Sequence, residues 1–372
     1  MSRLLRNVIA KPRLPPLPIY QSALKAMRAG TRNARIMCAG NSYTQGDFSD
    51  AANVDYYTPA FSNQLAIKLS AGGVLASCNS TCGFQFAVHN AGSLQNNNDP
   101  RVVMSGIAKA LVTQLCIGGP LIQMPNATSG VSFTPANPVD TFRLYYITTG
   151  GANTFNVNIN GGSNTLIDAS AAVGYASATF TGTLGTNTLN VNWVSGFANI
   201  CGWEAWDSTK TRVNIMNCGW SGSTSGNWAT FANAHSAGFS FATVAPDLTI
   251  LELGINDFNT SVSLATYMAN MQTLITTIKN AGSDCILLTG APWDAVNSGI
   301  PYATQTTFWS GMQQLATQNN LRMINIYNRW GDFSAATTAG LYATGSFSNS
   351  SHPSAKGQLD YAQAIFNAIN MM

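Results

Sequence analysis

Ester or amide hydrolysis by a side chain needs a nucleophile, a base to take its proton and donors for the charge that develops, and one set of residues here could supply all three. Ser42 lies in Gly40-Asn-Ser-Tyr-Thr-Gln-Gly46, where glycines on both sides let the backbone turn sharply and lift a hydroxyl to a strand end. A serine hydroxyl is a poor nucleophile until its proton is removed, and the chain has three histidines. His89, in Phe86-Ala-Val-His-Asn90, has no acidic neighbour, and His235 falls in an expected helix; both read as structural. His352 stands in Asn349-Ser-Ser-His-Pro353, a turn before the last helical stretch, and is the expected base. Two more turns, Asn217-Cys-Gly-Trp-Ser-Gly-Ser223 and Gly254-Ile-Asn-Asp257, offer the Gly222 N–H and the Asn256 amide to an oxyanion. Such donors are worth about 2.7–4 kcal/mol apiece. Each turn alone is commonplace; four in this order, each after a strand, are not.

The elements that must position these residues follow from hydrophobic periodicity. Ala34–Gly40 reads as a buried strand ending at a glycine turn, and Thr58–Ser70 as a helix. Between Val103 and Asp207 short alternating runs (Phe142–Ile147, Phe155–Ile159, Ala176–Phe180, Leu189–Trp193) separated by Gly/Asn clusters predict an antiparallel β-sandwich. Strands over Val213–Met216, Leu248–Leu253, Cys285–Leu288 and Met323–Tyr327 then alternate with helices over Gly226–Ala237, Leu264–Asn280, Thr304–Gln318 and Ala355–Asn370. This alternation predicts a parallel sheet wrapped by helices and interrupted by the sandwich, with reacting groups at the carboxyl ends of its strands.

The order Gly-x-Ser, Asn-x-Gly-x-x-Gly, Gly-x-Asn-Asp and His-Pro resembles the SGNH/GDSL hydrolases over roughly residues 34–72 and 210–370. The resemblance places the four signature residues on Ser42, Gly222, Asn256 and His352. It implies an α/β fold, a three-layer α/β/α flavodoxin-like hydrolase, with no metal or cofactor and an acyl-serine intermediate. The oxyanion hole it implies combines the N–H groups of Ser42 and Gly222 with the Asn256 amide. Two positions depart from the pattern. Gly-Asp-Ser becomes Gly40-Asn41-Ser42, and the aspartate three residues before the histidine becomes Asn349. An aspartate there would fix the imidazole tautomer and stabilise the imidazolium. Either Asn349 or a backbone carbonyl orients His352, or Asp332 or Asp360 substitutes, or this chain carries an inactivating Asp-to-Asn replacement. The insertion is similar to the jelly-roll-like carbohydrate-binding modules of some phage tail-spike and xylan esterases. The expected organisation is a basic, Pro-containing arm over 1–33, the hydrolase over 34–102 and 208–372, and the sandwich over 103–207. Trp220 inside the oxyanion turn, Asn41 and Trp203 are substrate-pocket candidates, and Tyr145, Tyr146, Trp193 and Trp206 could stack on sugar rings. The activity expected is that of a carbohydrate O-deacetylase; a glycan-binding adhesin on a degenerate scaffold and a general esterase or lipase are the alternatives.

Composition narrows the setting. Charged residues are only 9% of the 372, against roughly 25% in ordinary soluble proteins, so Asn, Ser, Thr and Gly must supply solubility. Eight of the 18 basic residues fall within the first 35 positions, where there is no acid, and Lys11-Pro-Arg-Leu-Pro-Pro-Leu-Pro18 predicts an extended strap. The arm reads as a docking segment for other virion proteins rather than a nucleic-acid site. No apolar core of a secretory signal and no membrane-spanning stretch is present in the sequence. An extracellular or virion-associated protein acting on an acylated polysaccharide is the expectation. The seven cysteines lack zinc-ligand spacing; Cys78 and Cys82 could pair, while Cys38 and Cys285 read as buried thiols.

Overall fold

The computed structural model describes residues 14–47, 49, 55–82, 99–106, 109–343 and 351–370. Its centre is a parallel sheet with the strand order Arg322–Ile324, Asp284–Leu288, Leu248–Glu252, Ala34–Gly40, Val213–Gly219 and Ala76–Ser77. The Leu248–Glu252 strand is buried at every position and Ala34–Gly40 at all but one, as parallel strands covered on both faces require. The helices that cover the sheet include the packed pair Phe61–Ala71 and Ala355–Asn370 and the packed pair Leu264–Asn280 and Tyr302–Gln318. Leu264–Asn280 carries Tyr267, Met271, Leu274, Ile275 and Ile278 on its buried face, the 3–4 spacing of an amphipathic helix. Strand order reverses at Ala34–Gly40, the sheet's first strand in sequence, which has Val213–Gly219 on one side and the later Leu248–Glu252 on the other. Open α/β sheets present their binding crevice at such a switch point.

The segment between Ala34–Gly40 and Val213–Gly219 contains two antiparallel sheets. One has the order Thr165–Asp168, Thr154–Ile159, Leu189–Ser195, Gly130–Phe133, Val102–Ser105; the other Gly174–Gly185, Val139–Thr148, Ala198–Trp206, Gly119–Met124, Lys109–Cys116, with Ser80–Cys82 also paired to Ala198–Trp206. Period-2 alternation sorts the second sheet's side chains onto two cores. Phe142, Leu144 and Tyr146 join Phe133, Phe155 and Trp203 between the two sheets. Tyr145 and Ile147 point the other way and belong to the core of the parallel-sheet region. Arg35, on the first parallel strand, pairs with Glu204 at 2.6 Å and donates to the Tyr145 hydroxyl at 2.7 Å across this junction.

Four expectations are corrected. Pro18–Arg28 is a helix that buries Tyr20, Ala23 and Met27 and receives Asp284 Oδ2 on the Tyr20 N–H at 2.9 Å, so only the chain before it remains a candidate arm. The expected Gly226–Ala237 helix is one capped turn, Ser225–Trp228, because Trp228 is buried and the Ser236 hydroxyl then closes a turn on the Asn233 N–H; His235 lies in that turn. The strand expected to reach Tyr327 stops at Ile324, where Asn325 caps the Ile326–Trp330 helix by accepting from the Asn328 N–H. Cys78 and Cys82 are separate buried thiols rather than a pair. Cys38 and Cys285 are buried as expected. His89 and Asn349 lie outside the described residues. Among the described residues no helix is long and apolar enough to cross a membrane.

Candidate active site

Strand register alone brings three of the four motifs together. Gly40 stands beside both Gly219 and Glu252, so the three central strands end level and their turns share one edge. The short Ser42–Gln45 helix sits directly on that edge. A Cβ on Gly40 would lie 2.2 Å from Thr44 Oγ1, and one on Gly219 would lie 2.1 Å from the Gln45 nitrogen, so glycine is what allows the helix so close. The Asn41 Oδ1 caps that helix on the Tyr43 N–H at 2.8 Å, while Asn41 Nδ2 donates to Glu252 Oε1 at 3.1 Å. Asn41 is fully buried and aims the nucleophile from beneath; it is not a pocket residue. Burial pushes the Glu252 carboxyl up to about 8 against the hydrogen bonds from Thr44 and Asn41, so it is largely protonated near neutrality.

The expected base, His352, comes from the far end of the chain. His352 Nε2 is 2.9 Å from Ser42 Oγ. The His352 backbone is held by Ala343 N–H donating to its carbonyl at 2.9 Å, and the preceding Ser351 carbonyl accepts from the Tyr43 hydroxyl. The imidazole packs edge-on against Tyr43 (centroids 5.4 Å apart, 68° between planes) and against Trp293 (6.4 Å, 67°). Burial lowers its pKa to about 4, which keeps the ring neutral and ready to accept a proton across the physiological range. Neither alternative carboxylate serves it. Asp332 caps the Phe333–Thr338 helix on the Ala335 N–H, and Asp360 is bound by Arg329 and the Trp330 indole N–H.

The residues expected to be oxyanion donors lie on the two neighbouring turns. Gly222 is exposed at φ +73°, and among the described residues its N–H and that of Ser42 have no acceptor. Asn256 is oriented by donating through Nδ2 to the Ser223 carbonyl at 2.9 Å. The two turns are tied by Asp257, which is buried and accepts from the Ser225 N–H at 3.0 Å and the Ser225 hydroxyl at 2.6 Å. Preorganised donors of this kind cost nothing to align at the moment of reaction.

The remaining pocket candidates move. Trp203 is 1% exposed and lies tilted against Phe133 at 5.3 Å between the two antiparallel sheets, out of reach of any sugar. Trp220 is 7% exposed, its ring packed over Gly119 and tilted against Trp228 at 6.3 Å, so it joins the insertion to the catalytic edge rather than walling an open pocket. Tyr145 is likewise buried, with its hydroxyl on Glu204. Trp293, which flanks His352 together with the buried Tyr43, was missed. It follows the Asp284–Leu288 strand within Ala291-Pro-Trp-Asp294, at the same carboxyl edge as the other turns, and that position was the available signal.

A serine in hydrogen-bond contact with a neutral histidine, below three donors from different loops, can carry out acyl transfer. Comparison with known proteins agrees. The model of the GDSL-like lipase/acylhydrolase family matches residues 172–359, just over half of the chain, including Gly222, Asn256 and His352. A solved peptidoglycan O-acetylesterase is 17% identical over 96% of this chain and 95% of its own, with a TM-score of 0.69. A family two carbohydrate esterase from Cellvibrio japonicus is 11% identical over 73% of this chain and 95% of its own, with a TM-score of 0.32. No curated protein matches the chain. With the family model spanning that region and the serine–histidine contact closing the site, the chain belongs to the GDSL-like lipase/acylhydrolase family and is a carboxylic ester hydrolase.

Proposed function

We propose that the protein removes O-acetyl groups from a polysaccharide through an acyl-serine intermediate. Ser42 Oγ attacks the ester carbonyl while His352 Nε2 takes its proton, and the carbonyl oxygen becomes an oxyanion facing the N–H groups of Ser42 and Gly222 and the Asn256 amide. The tetrahedral intermediate collapses as His352 returns the proton to the departing sugar oxygen, leaving acetyl-Ser42. Water activated by the same imidazole then releases acetate and regenerates the serine. The observation that carries this reading is the 2.9 Å contact between His352 Nε2 and Ser42 Oγ at the switch point of the sheet. The acetylated-glycan substrate is supported by the overall likeness to a peptidoglycan O-acetylesterase, which extends across the insertion as well as the α/β region.

In the same reading the two antiparallel sheets form a jelly-roll-like module over about residues 103–207 that holds the polymer near the site. The enzyme works outside the cell or on a phage particle, with the basic segment before Pro18 contacting other virion proteins; the low charge and high Asn, Ser and Thr content support that setting. Ser42→Ala tests the central claim. Acetate release from O-acetylated peptidoglycan and from p-nitrophenyl acetate should fall by about 10³-fold or more, and unchanged turnover would overturn it.

A further inference from the structure

Proton return fixes which side of the site the sugar must occupy. The oxygen that leaves with the alcohol has to come within hydrogen-bond reach of His352 Nε2, while the oxyanion turns toward Gly222 and Asn256. The alcohol therefore departs on the histidine side, and the residue that flanks His352 on its exposed side meets the sugar rather than the acyl group. Tyr43, on one edge of the ring, is fully buried with its hydroxyl on the Ser351 carbonyl and is closed to ligands. Trp293, the second ring in contact with the imidazole, is half-buried.

The backbone of Trp293 is unusually well fixed for a loop. The fully buried Gln305 side chain accepts from the Trp293 N–H at 2.8 Å and donates to its carbonyl at 3.0 Å, a two-point clamp. Asp294 then caps the following turn on the Val296 and Asn297 N–H groups, and its own N–H reaches Ser351 Oγ at 3.4 Å, beside the base. Val296 stands 88% exposed at the tip of that turn. A clamped loop with a half-open indole and an apolar tip is a preformed platform, and indole faces suit the apolar faces of sugar rings because they offer a large rigid surface at little entropic cost.

We infer that Trp293, held by Gln305, is a specificity-determining residue that packs against the sugar ring bearing the scissile ester. This rests on the esterase reading above but makes a separate claim, that discrimination on the alcohol side resides in the loop after the Asp284–Leu288 strand as well as in the two antiparallel sheets. The test compares two acetate esters, an acetylated N-acetylglucosamine oligomer and ethyl acetate, whose alcohol is too small to span the indole. Trp293→Ala should raise KM for the sugar ester and lower its kcat/KM by about tenfold, with kcat for ethyl acetate nearly unchanged. Trp293→Tyr should restore most of the sugar preference. Gln305→Leu, which keeps the indole but removes its clamp, should fall between. Equal loss on both esters in Trp293→Ala would mean that the indole merely props His352, and would overturn the inference while leaving the esterase assignment intact. Absence of activity on either ester in the unaltered protein would instead remove the reading on which it rests.

Discussion

The imidazole of His352 carries the most telling number in the site. With its pKa lowered to about 4 by burial, it stays neutral well below the pH at which a free histidine is half protonated. The acid limb of kcat/KM should therefore fall near pH 4, with activity flat from about 5 to 8. A low pKa also means a weak base whose imidazolium is poorly stabilised in the transition state. Asn349→Asp introduces a carboxylate three residues before the base, and a neighbouring negative charge favours the protonated ring. That variant should move the acid limb upward by one unit or more and raise kcat, both read from a pH–rate profile on p-nitrophenyl acetate. An unmoved limb would place residue 349 away from the imidazole. That Ser42 and His352 would meet was legible from sequence, because turns after strands are where reacting groups belong. The supports were not. Nothing in the one-dimensional pattern shows that Asn41 faces Glu252 rather than a ligand, since the two are 211 positions apart and meet only through strand register.

Elements were legible in proportion to how much one local rule decided them. Leu264–Asn280 and Ala355–Asn370 have the ends that periodicity predicts, because each has a continuous apolar stripe and a clear stop. Pro18–Arg28 was hidden by its own composition: proline opens it and Lys25 and Arg28 line its exposed side, yet Tyr20, Ala23 and Met27 keep helical spacing against the sheet. Proline in the first helical turn is no obstacle, since its missing N–H has no partner there anyway. At the catalytic edge the short Ser42–Gln45 helix depends on a tertiary support, the Glu252 carboxyl beneath it. Its folded pKa of about 8 lies above the 4.5 of an ordinary glutamate, so the folded state holds a proton that the unfolded chain releases. The stability this gives is complete below about pH 4.5 and is lost as pH rises through 8. Asp47, pushed up to about 7 by burial, adds a loss of the same sign over a lower window. Glu252→Gln keeps the acceptor for Asn41 without the titration. Its thermal midpoint should consequently decline less between pH 6 and 9 than that of the unaltered protein, as calorimetry would show; parallel curves would mean the carboxyl is ionised in the fold.

At the scale of the molecule, the two antiparallel sheets are anchored on the core of the parallel sheet. The Ala198–Trp206 strand is buried at every position but its last because its two faces serve two cores, Ile200 and Trp203 toward the first antiparallel sheet and Cys201 toward the parallel one. Sequence alternation marked strands over Phe142–Ile147 and Leu189–Trp193 but not Ala198–Trp206, because a strand covered on both sides loses the alternation, and the covering layer comes from a different part of the chain. The junction also contains a charge. Arg35 reaches across to Glu204 at 2.6 Å, both side chains largely buried, with Tyr145 hydrogen-bonded to each and Arg143 adding a longer contact at 3.3 Å. Removing one member of a buried pair leaves the other charged and desolvated, which costs about 3–5 kcal/mol. Glu204→Leu should therefore lower the unfolding free energy by an amount in that range, while the double variant Arg35→Met/Glu204→Leu, which removes both charges, should recover most of it. Because the two cores share strands, near-ultraviolet circular dichroism and tryptophan fluorescence should report one coincident urea transition in the unaltered protein. Separate transitions, or a Glu204→Leu variant as stable as the original, would mean that the insertion is tethered to the hydrolase rather than built into it.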